Sequence, residues 1–337
     1  MTASVTAQPT VKGWLPIDLD FAALPPKVDW LYFGAEPLAE PFFDQTVERL
    51  RNTNPYIQHA TTDLMAIREL ARMMPSAPPA GLIFHVSRCG STLLSNAMRL
   101  AERTTVVSEA QPFSAIFPLG GSSGPPLAAL LSAGDRKMLL DALASLFQSY
   151  AGHGANRLVI KFPSWNILFL ELVRLIWPTT PCLIVIRDPV DVMVSNLLKP
   201  GGWVRMKQSV YARHLSGATG DASDAGMGVE EYCARTLGQF YTSAARGLAR
   251  NCRVVNYDEL SVDLARGVAG FFGLEFGRAN AESLHTVFQI YSKDPTMARR
   301  HEDDRSRKRE EANRLDIEAL ERWTSEPYNL LKRLSWR

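Results

Sequence analysis

The chain is poor in the features that mark most specialised protein classes. Its 337 residues include only four cysteines, Cys89, Cys182, Cys233 and Cys252, far apart and with no C-x-x-C pair. That spacing indicates neither a zinc knuckle nor a disulfide framework. No apolar run approaches the roughly 20 residues that span a bilayer. The most strand-like run, Pro181-Cys182-Leu183-Ile184-Val185-Ile186, stops at Arg187. The first ten residues hold no basic side chain and no apolar stretch follows them, so no secretory signal is expected. An excess of one charge is also lacking. Thirty-seven Lys and Arg against 35 Asp and Glu leave a net +2, which points away from nucleic acid as a partner. No repeat recurs at a fixed period. What remains is 46% hydrophobic and 21% charged, an ordinary globular composition with ample material for a large core. The expectation is a soluble, cytoplasmic protein from a reducing compartment, without a membrane span.

Two kinds of sequence follow one another. Residues 1–79 are rich in Pro and aromatics (Trp14, Trp30, Tyr32, Phe33, Phe42, Phe43), then show helical spacing through Val47, Leu50, Leu64, Ile67, Leu70 and Met73. Pro75-Ser76-Ala77-Pro78-Pro79 closes the segment like a linker. It is expected to be a mostly helical extension, packing on the rest or facing a substrate. Across residues 80–337 short apolar runs alternate with helical stretches. Strands are predicted at 82–86, 104–107, 158–160, 183–186 and 253–255, with a helix from about Thr92 to Ala101. Strands apolar on both faces and separated by helices predict a three-layer α/β fold with a parallel central sheet. Ligands in such folds bind beyond the carboxyl ends of the strands. Six glycines in 199–228 suit a loop or lid, and the mixed charges of 299–314 read as a solvated face.

The first chemical signal is Phe84-His85-Val86-Ser87-Arg88-Cys89-Gly90-Ser91-Thr92-Leu93-Leu94, where a strand turns directly into a helix. A helix N-terminus offers free N–H groups and partial positive charge, so an anion is expected there. Gly90 would let backbone wrap it, Ser91 and Thr92 would add hydroxyls, and Arg88 would neutralise it. The plainer alternative is a Ser or Thr acting only as helix N-cap. The loop is not a Walker A motif, which needs G-x-x-x-x-G-K-[ST]; both the first Gly and the Lys are missing. The second signal is Arg187-Asp188-Pro189-Val190-Asp191-Val192-Met193-Val194-Ser195, at the end of the fourth strand. Pro189 is placed to open a helix on which Ser195 and Lys199, four apart, share a face. Arg187, Ser195 and Lys199 are therefore expected to converge on a phosphate. A rival reading makes Asp188 a Walker-B-like metal ligand.

Together, R-C-G-S-T-L-L and R-D-P-x-D-V-x-x-S resemble the sulfotransferase superfamily, whose members use 3′-phosphoadenosine 5′-phosphosulfate (PAPS). The resemblance runs from about Gly81 to the C-terminus. It implies a P-loop-NTPase-like fold, with Arg88, Cys89, Gly90, Ser91, Thr92 and Leu93 around the 5′-phosphosulfate. It also implies that Arg187 and Ser195, eight apart as in the family, hold the 3′-phosphate. The layout is most similar to the protein-tyrosine sulfotransferase branch. There an acidic residue after the second strand is the catalytic base, matched by Glu109, and a Lys after the next strand faces the transferring group, matched by Lys161. Tyr257-Asp258-Glu259-Leu260 resembles the family's Y-[DE]-x-L segment, making Tyr257 a candidate contact. Tyr291-Ser292-Lys293-Asp294 resembles a segment that closes over the nucleotide, with Lys293 the candidate there. Where many members have Lys in the first loop, this chain has Arg88, which keeps the charge.

The implied reaction moves a sulfuryl group to a hydroxyl or amine by in-line displacement, close to phosphoryl transfer. Cations and N–H groups suffice to stabilise it, so no metal is expected. Glu109 takes the acceptor's proton, while Arg88 and Lys161 stabilise the departing bisphosphate. Plainer alternatives stand beside each role: Glu109 as a solvated loop carboxylate, Lys161 paired with an acid, Tyr257 as a packing aromatic. His85 reads as a satisfied core histidine, and His153 is the second choice for the base. Two further readings of the whole chain are an ATP-dependent kinase-like phosphotransferase and a non-catalytic nucleotide-binding protein. The acceptor, whether small molecule, glycan, lipid or peptide, is not specified by these motifs, since specificity lies in variable loops.

Overall fold

The computed structural model describes residues 12–73, 77–119, 130–150, 157–218, 226–277, 280–289 and 317–336. Five short strands, each following an apolar run, form the central sheet: β4 (Gly81–His85), β5 (Thr104–Ser108), β6 (Arg157–Lys161), β7 (Cys182–Ile186) and β8 (Cys252–Asn256). They lie in the order β5-β6-β4-β7-β8, and every neighbouring pair is parallel. Every residue of β4 and β7 is buried, so the middle of the sheet is covered on both faces. All five strands fall within a residue or two of their predicted positions.

Three further strands precede this sheet: β1 (Trp14–Asp20), β2 (Lys27–Tyr32) and β3 (His59–Asp63), paired antiparallel in that order. The expectation of a mostly helical extension is therefore corrected. The helical spacing holds only for α1 (Phe43–Thr53) and α2 (Met65–Met73). Pro16, and the register shift between Pro16 and Asp18, mask the strand alternation of β1. Trp30 Nε1 donates to Thr62 Oγ1 at 2.9 Å, tying β2 to β3. Leu15, Leu19, Val28 and Leu31 are buried in the same continuous core as Leu82 and Ile83 of β4.

Helices α3 (Ser91–Met98), α4 (Gln111–Ala115), α5 (Ala133–Tyr150), α6 (Leu170–Ile176) and α7 (Pro189–Leu198) continue the alternation. The helix Ile317–Arg333 lies along the helix Val229–Arg246, where Tyr328 meets the Tyr241 ring edge-on at 5.6 Å. The chain end then returns to the sheet, with the Trp336 N–H donating to the Val254 carbonyl at 2.7 Å.

This order of strands decides where a ligand can sit. From β4 the chain crosses through α3 to the outer strand β5, returns to β6, and then crosses β4 to reach β7. The loops leaving β4 and β7 therefore diverge, and beyond the ends of these two strands is where such sheets bind their ligands.

Candidate active site

The loop between β4 and α3 has an unusual backbone. Ser87, Arg88 and Gly90 all have positive φ, at 76°, 50° and 81°. The N-cap of α3 is Gly90, and no side chain caps the helix. The alternative of a Ser or Thr N-cap is thus not what the fold uses; Ser91 and Thr92 lie inside the helix and are buried. Uncapped first-turn N–H groups beside Arg88 suit an anion. A Cβ on Gly90 would come within 2.2 Å of Leu260 Cδ1 and 3.1 Å of Tyr257 Cδ2, so the segment after β8 closes on the loop. Cys89 and Leu93 of the same motif are buried and half-buried.

The two motif loops are joined directly. The Arg187 guanidinium donates to the Arg88 carbonyl at 3.2 Å and to Asp191 Oδ2 at 3.0 and 2.8 Å. It also lies 4.0 Å above the Tyr257 ring, which gives Tyr257 a definite task in packing this cation. Tyr241 Oη donates to the Arg187 carbonyl at 2.6 Å. Asp188 caps α7, its Oδ1 accepting the Val190 N–H at 2.9 Å, and Pro189 opens that helix as predicted. Ser195 Oγ is buried and meets no hydrogen-bond partner among the described residues.

Lys199 requires a correction. Helix α7 ends at Leu198, and Lys199 leaves it at φ −139° and ψ 89°. Pro200 follows, and the residue before a proline is driven out of helical conformation. Lys199 therefore does not continue the Ser195 face. Its carbonyl accepts a hydrogen bond from the Arg88 guanidinium.

Two strands away lies the catalytic pair expected from sequence. Lys161 ends β6 with its side chain fully buried, and Nζ donates to Glu109 Oε1. Glu109 follows β5 at φ 55°, and its N–H donates to the Lys161 carbonyl at 2.7 Å. Burial by itself would raise the Glu109 carboxyl; the Lys161 charge and His85 outweigh it and hold the group well below the usual carboxylate range. Glu109 is thus no solvated loop carboxylate.

Sequence reasoning gave no site role to four residues around this pair: His85, Phe42, Asp44 and Arg99. His85, set aside as a core histidine, is buried, but its Nε2 lies 3.4 Å from Glu109 Oε1. From the N-terminal segment, the Phe42 ring sits 5.1 Å from Lys161 Nζ. Burial raises the carboxyl of nearby Asp44, and the Glu109 charge adds to the effect. Arg99 straps this segment to the sheet, donating to the Pro41 carbonyl at 3.4 Å and to Ser108 Oγ at 3.3 Å. Its own burial pushes the guanidinium down to about 10. The signal for His85 was available: it stands one residue before the end of the predicted strand 82–86, while Lys161 and Glu109 follow within two residues of the ends of two others. His153, Lys293 and the 299–314 charge run lie outside the described residues.

No family model and no curated protein matches the sequence. Among solved structures it is similar to a sulfotransferase from Alicyclobacillus acidocaldarius, at 20% identity over 73% of this chain and 95% of that one, with a TM-score of 0.39. It is also similar to a sulfotransferase domain from the curacin biosynthetic pathway, at 13% identity over 78% and 99% of the two chains, with a TM-score of 0.41. Both likenesses are remote. Among the described residues no helix is long and apolar enough to cross a membrane, and no three His, Cys, Asp or Glu side chains group as metal ligands would.

Proposed function

We propose that this chain is a sulfotransferase that moves a sulfuryl group from PAPS to a hydroxyl or amine of an acceptor. The observation that carries the reading is the junction of the two loops at the divergence of β4 and β7. There Arg187 donates to the Arg88 carbonyl beside the uncapped start of α3, with the Glu109–Lys161 pair close to the same sheet end. The residues suit the donor: the Ser195 hydroxyl is a buried group without a partner among the described residues, and the loop offers N–H groups and an arginine to an anion. Arg88 and the amides of Gly90, Ser91 and Thr92 would hold the 5′-phosphosulfate, while the Leu93 N–H already donates to the Gly90 carbonyl at 3.0 Å. Arg187 and Ser195 would hold the 3′-phosphate, and Tyr257 keeps Arg187 in place. PAPS supplies an activated sulfuryl group whose bond to the 5′-phosphate breaks as the acceptor attacks.

Glu109 takes the acceptor's proton. While Lys161 remains on it, its carboxylate is too well stabilised to be an effective base. Lys161 therefore has two partners in turn: Glu109 before the donor arrives, and the negative oxygens of the transferring group afterwards. When Lys161 turns, the proton affinity of Glu109 rises toward its ordinary value. These cations form the electrostatic device of the site, and no step assigned to them calls on a metal. Residues 1–79 are proposed as part of the acceptor side, through Phe42 and Asp44, and residues 80–337 as the transferase unit.

Calorimetric titration with 3′-phosphoadenosine 5′-phosphate in EDTA, beside ADP and Mg·ATP, tests the reading. Tight binding that requires the 3′-phosphate is expected. Arg187→Ala should weaken it at least tenfold, about the worth of one charged hydrogen bond. Glu109→Gln should leave binding intact and lower turnover with PAPS by about 10²–10⁴, the range for a general base. Binding only to Mg·ATP would replace the sulfotransferase reading with that of a kinase.

A further inference from the structure

Two nitrogen groups lie beside one Glu109 oxygen: Lys161 Nζ donates to Oε1, and His85 Nε2 stands 3.4 Å from the same atom. In the reaction proposed above Lys161 must leave for the transferring group, and a carboxylate abandoned in this largely buried position would lose both its charge partner and its orientation. His85 is the group that stays.

The protonation state of His85 follows from its surroundings. It is the last residue of β4 and 6% exposed, and its Nδ1 accepts the Ser87 N–H at 3.1 Å. A ring nitrogen that accepts an N–H carries no proton, so the proton of the neutral imidazole is on Nε2, facing Glu109. Ser87 directs its N–H back onto the ring from a φ of 76°, so the strained loop that receives the anion also sets this tautomer. A neutral ring leaves the Lys161 and Glu109 charges balanced.

We propose that His85 is a positioning residue for the base. Fixed by Ser87 as the Nε2–H tautomer, it takes over Glu109 Oε1 when Lys161 leaves, so that Oε2 is presented to the acceptor's proton. The 3.4 Å separation is long while Lys161 occupies Oε1 and shortens when Lys161 turns away. The catalytic consequence rests on the sulfotransferase reading; the tautomer does not.

The experiment has two arms. In the first, kcat, KM and the affinity for 3′-phosphoadenosine 5′-phosphate are measured for wild type, His85→Gln, His85→Asn and His85→Phe. Glutamine keeps an N–H near the place of Nε2, whereas asparagine keeps an acceptor near Nδ1 and loses the donor toward Glu109. Gln should hold kcat within about threefold of wild type, while Asn and Phe lower it about ten- to hundredfold with KM and nucleotide affinity unchanged. Equal activity of Asn and Gln, or a loss confined to KM, overturns the proposal. In the second arm, ¹⁵N spectra of histidine-labelled wild type at pH 7, assigned with His85→Gln, should show the His85 ring as the neutral Nε2–H tautomer. A ring protonated on Nδ1, or on both nitrogens, overturns the proposal whatever the transfer assay gives. If wild type moves no sulfuryl group from PAPS, the functional reading fails, and the tautomer alone decides the role of His85.

Discussion

Replacing Lys161 by methionine keeps the length of the side chain and removes its charge. In the folded protein that ammonium is fully buried against Glu109, whose side chain is 23% exposed. The variant therefore leaves a mostly buried carboxylate without its cation, a change that costs about 3–5 kcal/mol when one partner of a buried pair is removed. His85 remains at 3.4 Å, so the lower end, about 3 kcal/mol, is expected. Adding Glu109→Gln removes the orphaned charge as well, and the double variant should recover at least half of that loss. Chemical denaturation of wild type, both single variants and the double variant at pH 7 gives the coupling directly. A single-variant cost under about 1 kcal/mol, typical of an exposed pair, would refute the argument. Simple additivity of the two substitutions would refute it equally.

The same pair fixes a pH dependence. Burial opposes ionisation of Glu109, but Lys161 and His85 more than reverse this, so the folded value is depressed. Its stabilisation is complete above the ordinary glutamate value of about 4.3 and is lost as pH falls through the folded one. The stability gap between wild type and Glu109→Gln should be flat from about pH 8 to 5 and shrink only below that; shrinkage between pH 8 and 6 would contradict the assignment. Gly90→Ala should destabilise by about 1–2 kcal/mol from its positive φ alone, and displacing Leu260 and Tyr257 should weaken nucleotide binding as well. An unchanged melting temperature would mean that the loop relaxes freely. Leu31→Ala, in β2 and 1% exposed, should cost about 2–5 kcal/mol and shift the unfolding transition shared with the central sheet. A shift confined to a separate early transition would show the N-terminal sheet unfolding by itself.

The sequence by itself determined the local pieces: five apolar runs became five parallel strands, Gly90 and Pro189 opened their helices, and the anion loop and the Arg187 segment were recognisable from residue type and spacing. These features depend on neighbours within a few residues, and periodicity and propensity report such neighbours well. The sequence was less legible where one local rule masked another, as in β1, where Pro16 broke the alternation, and at Lys199, where Pro200 ended the helix one residue early. The composition of the site was decided only by tertiary structure. His85, Glu109 and Lys161 are separated by 24 and 52 positions and meet because β6 lies between β5 and β4. Ile83 pairs with Lys161 in the parallel register, and residues two apart on a strand share a face, which puts His85 on the face of Lys161. Phe42 reaches the same cluster from a segment whose sequence carries no chemical motif. Spacing along a chain records which strands exist; the order in which they pair depends on how their buried faces and crossovers pack together, and that order made an apparent core histidine a neighbour of the base.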